Sequence, residues 1–165
     1  MSDETIGAII GVSGTIVGII IDRVITAFAN RGKLVFYVKD WTKSYYRLDL
    51  GVPMITDCST EAFECKYSFS IDIYNRSGNI KIARDIQIEF RKGKKELFSI
   101  VPQQKVGDKS EFIKPINVPP KTICCIDAYF YVMKEDNPFQ LLEEYDKVYL
   151  KYRNEKGRIK KIKIV

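Results

Sequence analysis

The stretch FECKYSFSIDIYN, residues 63–75, places Phe63, Cys65, Tyr67, Phe69, Ile71 and Ile73 at one parity and Glu64, Lys66, Ser68, Ser70 and Asp72 at the other. Successive side chains of an extended strand point to opposite faces, so this pattern specifies a half-buried β-strand and excludes a helix over the same residues. A sheet that is apolar on one face has to cover that face with a second layer. Asn75, Ser77, Gly78 and Asn79 then read as a polar turn, after which IKIARDIQIEF brings Ile80, Ile82, Ile86, Ile88 and Phe90 back on a common parity. Arg91 to Lys95, centred on Gly93, supplies the next reversal.

The same grammar recurs downstream. KTICCIDAYFYVM puts Cys124, Ile126, Ala128, Phe130 and Val132 inward and Cys125, Asp127, Tyr129 and Tyr131 outward. Two adjacent cysteines on opposite strand faces are poor disulfide partners for each other. KVYLKYR and RIKKIKIV, joined by Asn154 to Gly157, read as a terminal β-hairpin, and shorter strands are expected in LVFYVK, YYRLDL, KELFSIV and FIKPINV. FQLLEEYD, residues 139–146, has room for one or two helical turns in a connection. Repeated strands without intervening helices predict an all-β antiparallel sandwich of about eight or nine strands, with a closed barrel as the alternative. The 165 residues suit one such domain, residues 32–165, preceded by one N-terminal apolar helix within residues 1–31.

That N-terminal segment, IGAIIGVSGTIVGIII, is the main guide to where the domain resides. Thr5 to Ile21 carries no charge, and as a helix at ~1.5 Å per residue it spans about 25 Å, just short of a ~30 Å bilayer core. Gly7, Gly11, Gly14 and Gly18 fall on one helix face, a spacing that lets membrane helices approach closely and self-associate. In a water-exposed helix each glycine costs roughly 0.8–1 kcal/mol of propensity, so the pattern favours lipid or an oligomer core over a solitary surface helix. Ala27-Phe28-Ala29 mimics a signal-peptidase site, but the leading residues are acidic and Asp22 and Arg23 interrupt the approach to it. Asp3 and Glu4 precede the segment while Arg23, Arg31, Lys33 and Lys39 follow. The expectation is a single-pass anchor with its N-terminus outside and the β domain in the cytoplasm.

Residues 1–29 hold three acidic side chains and one basic, leaving 26 basic against 18 acidic in the remainder. A basic domain is drawn to anionic lipid headgroups or nucleic acid. The cations concentrate in the terminal hairpin, where Lys151, Arg153, Lys156, Arg158, Lys160, Lys161 and Lys163 are interleaved with Tyr149 and Tyr152. Such a surface contacts phosphates electrostatically, and anionic headgroups rank ahead of nucleic acid because the helix already places the domain beside a membrane. Lysines on a terminal strand also serve simply to prevent edge-to-edge aggregation.

Catalytic chemistry is sparsely provided for. The chain has no histidine, which removes Cys/His and Ser/His/Asp nucleophile arrangements. Cys58, Cys65, Cys124 and Cys125 form neither a disulfide framework nor a zinc pattern and suit reduced thiols in a reducing compartment. Asp57 and Glu61 beside Cys58 are expected to raise that thiol's pKa. The Asn75-Arg76-Ser77 sequon reads as a turn. Asp127, Glu135, Asp136, Glu143, Glu144 and Asp146 would be the oxygen ligands of a metal-dependent enzyme, a reading their spacing does not match to any known loop. No catalytic, cofactor or metal residue is assigned.

The helix followed by YSFSIDIYNRSGNIKIARDIQIEF, PINVPPKTICCIDAYFYV and a basic final hairpin resembles uncharacterised small bacterial or phage-borne proteins with an N-terminal apolar helix and an immunoglobulin-like sandwich. The resemblance implies that fold and a bacterial setting, and it transfers no active site. The function expected is a membrane-anchored binding or scaffold module. The alternative is a soluble structural component, a phage or assembly protein, that oligomerises through its helix.

Overall fold

A computed structural model describes residues 17–28 and 31–164. Residues 17–28 are helical and exposed. The helix runs through Asp22 and Arg23 instead of ending there, because a single charged pair does not interrupt backbone hydrogen bonding. Of the four glycines expected to form an association face, Gly7, Gly11 and Gly14 lie outside the described residues, while Gly18 has open space around it. Among the described residues no helix is long and apolar enough to cross a membrane.

The remainder is a two-layer antiparallel sandwich. Eleven strands run β1 (Leu34–Asp49), β2 (Val52–Thr56), β3 (Glu64–Asn75), β4 (Lys81–Lys92), β5 (Lys95–Ile100), β6 (Gln103–Val106), β7 (Lys109–Phe112), β8 (Ile116–Val118), β9 (Ile123–Met133), β10 (Lys147–Arg153) and β11 (Ile159–Lys163). One sheet has the order β2-β1-β3-β9-β6-β7 and the other β11-β10-β4-β5, with β8 pairing the start of β4. One α-helical turn, Asn137–Gln140, and a 3₁₀ turn, Leu141–Glu143, occupy the connection where helical turns were expected.

β3 carries the alternation read from the sequence: Cys65, Tyr67, Phe69, Ile71 and Ile73 are all buried. Three local departures merge, re-phase or shorten expected strands. LVFYVK and YYRLDL fuse into the single 16-residue β1, because a bulge between Lys39 and Thr42, with Asp40 at φ 54°, inserts one extra residue without ending the strand. The bulge turns Trp41 toward the core, 5.0 Å from the Phe69 ring and 5.4 Å from that of Tyr67. In β4, Asp85 takes φ 54° and shifts the parity, so Ala83 is buried while Ile80 is exposed. FIKPINV is split between the last residue of β7, Phe112, and the three residues of β8, since Pro115 between them cannot donate to a ladder.

The two layers are joined by stacked aromatics. Tyr67 of β3 and Phe130 of β9 stack at 4.8 Å, and Phe90 of β4 reaches across to both, 5.6 Å from Tyr67 and 6.0 Å from Phe130. Phe98 stacks on Phe90 at 4.5 Å, and Phe36 meets Tyr152 across the sandwich at 4.5 Å. All four cysteines are free. Burial pushes the Cys65 thiol up to about 12, consistent with an inert core position. The Cys58 thiol is lowered, contrary to the expectation from its acidic neighbours. The Thr60 hydroxyl, 2.9 Å away, and the backbone N–H groups of Glu61 and Thr60 favour the thiolate more than Glu61 opposes it.

At one end the crossing from β3 to β4 is held by Asn75, which is fully buried. Its Nδ2 donates to the carbonyls of Asn79 (2.7 Å), Val118 (2.8 Å) and Pro119 (3.1 Å), and its Oδ1 accepts from the Ser77 N–H and hydroxyl. The sequon is thus a structural turn. Gly32 lies against the same turn so closely that a Cβ would sit 2.4 Å from the Arg76 carbonyl carbon and the Ser77 nitrogen. Replacing Asn75 by Ala leaves several buried polar groups unpaired, and equilibrium denaturation is expected to register a loss of about 2–4 kcal/mol; a change within 0.5 kcal/mol would show that the turn holds without it.

Candidate functional site

The terminal hairpin forms as expected, and its shape is set by Asn154. Asn154 Oδ1 accepts from the N–H groups of Lys156 (3.1 Å) and Arg158 (2.9 Å), and Gly157 supplies the positive φ of 73° that closes the reversal. β10 and β11 pair in the register Tyr149↔Lys163, Lys151↔Lys161, Tyr152↔Lys160 and Arg153↔Ile159. The alternation therefore divides the seven cations between two surfaces.

Lys151, Arg153, Lys161 and Lys163 share the parity of Tyr149, opposite to that of the core residues Val148, Leu150 and Tyr152. Two of these four converge on a residue that the sequence reading did not single out, Glu89 of β4. Its side chain is completely buried although it shares their outward parity, because cations close over it. Lys161 Nζ lies 2.7 Å from Oε1 and 2.6 Å from Oε2, Arg91 Nε lies 3.2 Å from Oε1, and Lys151 Nζ lies 3.9 Å from Oε2. Arg153 is held by Asp85 at 3.0 Å and by the Gly157 carbonyl at 3.3 Å. Lys151, Arg153 and Lys161 are thus each oriented by a carboxylate of the protein itself, although Glu89 is shared among three cations. The only sequence clue to Glu89 is an acid at an outward position between Ile88 and Phe90, which by itself reads as ordinary surface.

Lys156, Arg158 and Lys160 belong to a different place. With Arg31, Lys33, Lys81 and the edge of Lys161 they line a groove of about 570 Å³ that also includes Leu34, Tyr152 and Ile162 and is bordered by Ala27 of the helix. Its one carboxylate, Glu155, is paired with Lys81 at 2.9 Å, which together with the Lys81 hydrogen bond outweighs burial and lowers the pKa of Glu155. No described carboxylate lies within 4.0 Å of the charged groups of Arg31, Lys33, Lys156, Arg158 or Lys160. Arg31 instead rests over the Phe28 ring, 4.5 Å from its centroid. The tertiary structure thus unites cations from two ends of the sequence into one unneutralised cluster at the exit of an exposed apolar helix.

The acidic residues do not assemble in this way. Asp127 bonds Ser70 (2.7 Å), Asp136 accepts from the Met133 N–H (3.3 Å), Glu144 pairs with Lys92 (3.0 Å), and Asp146 accepts from the Gly93 N–H (3.0 Å). Glu143 is engaged by Tyr45 and Lys43, whose hydrogen bonds lower its pKa. Among the described residues no three His, Cys, Asp or Glu side chains are grouped to hold a metal ion. A second cleft of about 660 Å³, on the face of β3 and β9, is lined by Ser68, Ser70, Asp127 and Tyr129, and the Ser70 hydroxyl there donates to Asp127.

The two-layer fold and its residue span correspond to a recognised class: residues 32–165 match the family model of the YopI Ig-like domain, and the chain belongs to that family. A full-length relative is the SPbeta prophage-derived uncharacterized protein YopI of Bacillus subtilis (strain 168). It is 24% identical over 171 residues, covering 96% of this chain and 94% of the relative. No solved structure matches.

Glu89 is the part of this surface whose removal has a definite consequence. Glu89→Gln leaves Arg91, Lys151 and Lys161 repelling one another over a desolvated amide, and a stability loss of about 1–3 kcal/mol is expected. Thermal unfolding of the variant in rising salt should recover part of that loss, because the repulsion lies near solvent and is screened.

Proposed function

We propose that this protein is a non-catalytic binding or scaffold module, held at a bilayer by its N-terminal apolar segment with the sandwich on the cytoplasmic side. Its basic end rests on anionic lipid headgroups. The observation that carries this reading is the meeting of Arg31, Lys33, Lys156, Arg158 and Lys160 in one groove where the exposed helix leaves the domain. A juxtamembrane cation near an anionic surface contributes about 1 kcal/mol, so five of them at the helix exit favour that orientation and the cytoplasmic placement of the domain. The same charges would also attract nucleic acid, but the groove lacks the row of exposed aromatic faces on which bases stack. Self-association through Gly7, Gly11, Gly14 and Gly18 is part of the proposal.

A second reading is a soluble structural component that oligomerises through the N-terminal helix. It is favoured by the exposure of Val17, Ile19, Ile20, Ile21, Val24, Ile25 and Phe28 on a helix with Asp22 and Arg23 in its middle. These apolar side chains need cover, from lipid or from copies of the same helix.

Vesicle flotation with the full chain separates the readings. On vesicles containing anionic lipid, the triple variant Lys156→Glu, Arg158→Glu, Lys160→Glu is expected to partition roughly 100-fold more weakly than the parent, with the difference shrinking as salt rises. Arg153→Glu, at a cation already paired with Asp85, should change partitioning by less than about fivefold. Equal flotation of the triple variant and the parent would exclude the headgroup contact. A salt-insensitive oligomer that never floats would favour the soluble assembly.

A further inference from the structure

The hairpin β1–β2 lies at the opposite end of β1 from the helix and the basic groove. Sixteen residues of strand at ~3.3 Å each separate the two by about 50 Å. Its exposed side chains are strongly apolar: Leu48 is 58% exposed, Ile55 69% and Leu50 100%, with Val52 and Met54 beside them. The apex is a two-residue turn in which both Leu50 (φ 50°) and Gly51 (φ 83°) are left-handed. This is the type I′ geometry that asparagine and glycine adopt readily and leucine does not. A strained leucine with its whole side chain in solvent does nothing for the isolated fold, which points to a contact outside it.

The backbone says what kind of contact. Asp49↔Val52 closes the turn, and the register then runs Leu48↔Pro53, Arg47↔Met54, Tyr46↔Ile55. Antiparallel pairs alternate between hydrogen-bonded and open, so Pro53 and Ile55 direct their backbone groups away from β1 to the free edge. The Tyr46 carbonyl agrees with this phase, since it turns the other way and accepts from the Phe63 N–H at 2.9 Å. Proline has no N–H, which leaves Ile55 as the outward donor of β2, with its own carbonyl beside it. One donor and one acceptor on a single residue are what a strand needs to pair with an identical strand across a two-fold axis.

Side chains fit the same partner. Of the described strands at the ends of the two sheet orders, β5, β7 and β11 each carry lysine, the usual guard against edge pairing, whereas β2, VPMIT, carries no charge; β8, which pairs only with β4, is also uncharged but is three residues long. Tyr46, Leu48, Pro53 and Ile55 occupy one parity of the hairpin, so a two-fold axis at Ile55 brings no like charges together on that face. A lipid surface is disfavoured, because Asp49 and Asp57 flank the apolar residues and Arg47 is already paired with Glu61 at 3.1 Å.

We propose that β2 is a two-fold contact with a second copy of this chain, centred on Ile55 pairing with Ile55 of that copy and covered by Leu48 and Leu50. The inference does not depend on the membrane reading. A contact of two hairpins is smaller than the roughly 800 Å² per partner of a standard interface, so the association is weak unless other segments bring the copies together.

The test uses the full chain with Cys58→Ser and Cys125→Ser, into which Ile55→Cys is introduced, or Phe112→Cys as a control on the opposite edge of the same sheet. With a short bis-maleimide crosslinker, the Ile55→Cys protein is expected to form covalent dimers at least ~10-fold faster than the control, a ratio that helix-driven association alone would not produce. Adding Leu50→Asn should cut that rate several-fold while raising the thermal midpoint, since asparagine tolerates the left-handed turn. Equal rates at the two positions would overturn the proposal, as would a crosslinking rate unchanged by Leu50→Asn. Leu50-dependent flotation on uncharged phosphatidylcholine vesicles would assign the hairpin to lipid instead.

Discussion

The aromatic contact between the two sheets is the interaction on which the rest of the molecule depends. Tyr67 and Phe130 stack within one sheet, and Phe90 crosses from the other to meet both edge-on. Ring pairs of this kind contribute about 0.5–1.5 kcal/mol each beyond the area they bury. More important is their position on β3, β9 and β4, the long strands beside which β1, β10 and β5 are registered. With β4 held there, β10 and β11 are placed beside it, and the two faces of the terminal hairpin acquire their separate surroundings. With β3 held, the long β1 runs the length of the sandwich and carries its two ends apart.

The proposed function rests on the separation of these ends. One end joins the exposed helix to five cations with no described acidic partner, and the other presents an uncharged edge strand and a strained apolar turn. Charge and apolar surface are thus sorted to opposite ends of β1. That arrangement suits a module that is held at one end and meets another molecule at the other. On the sheet face Glu89 instead draws Lys151, Lys161 and Arg91 together over one buried carboxylate.

Much of the sandwich was legible in the sequence because half-buried antiparallel strands write their orientation into every second residue. β3, the inward half of β9, the terminal hairpin and the helical turns after β9 were all read in this way. The departures occur where one residue breaks the count. Asp40 and Asp85 take left-handed backbone conformations that no alternation pattern announces, and each shifts the parity beyond it. The same limit applied at the candidate site. Seven hairpin cations were visible as a cluster, yet their division between a carboxylate-bearing face and an open groove depends on which carboxylates lie across the sheet, some 60 to 70 residues away in sequence.

By itself the sequence determined the fold class and the basic character of the C-terminal hairpin, since composition and period-two alternation act locally. Only the tertiary structure decided that Glu89 draws in two of those lysines, that Arg31 and Lys33 join Lys156, Arg158 and Lys160, and that β2 stands unguarded at a sheet edge. Each of these depends on which strands become neighbours. That is settled by packing the aromatic core, and the order of residues along the chain does not record it.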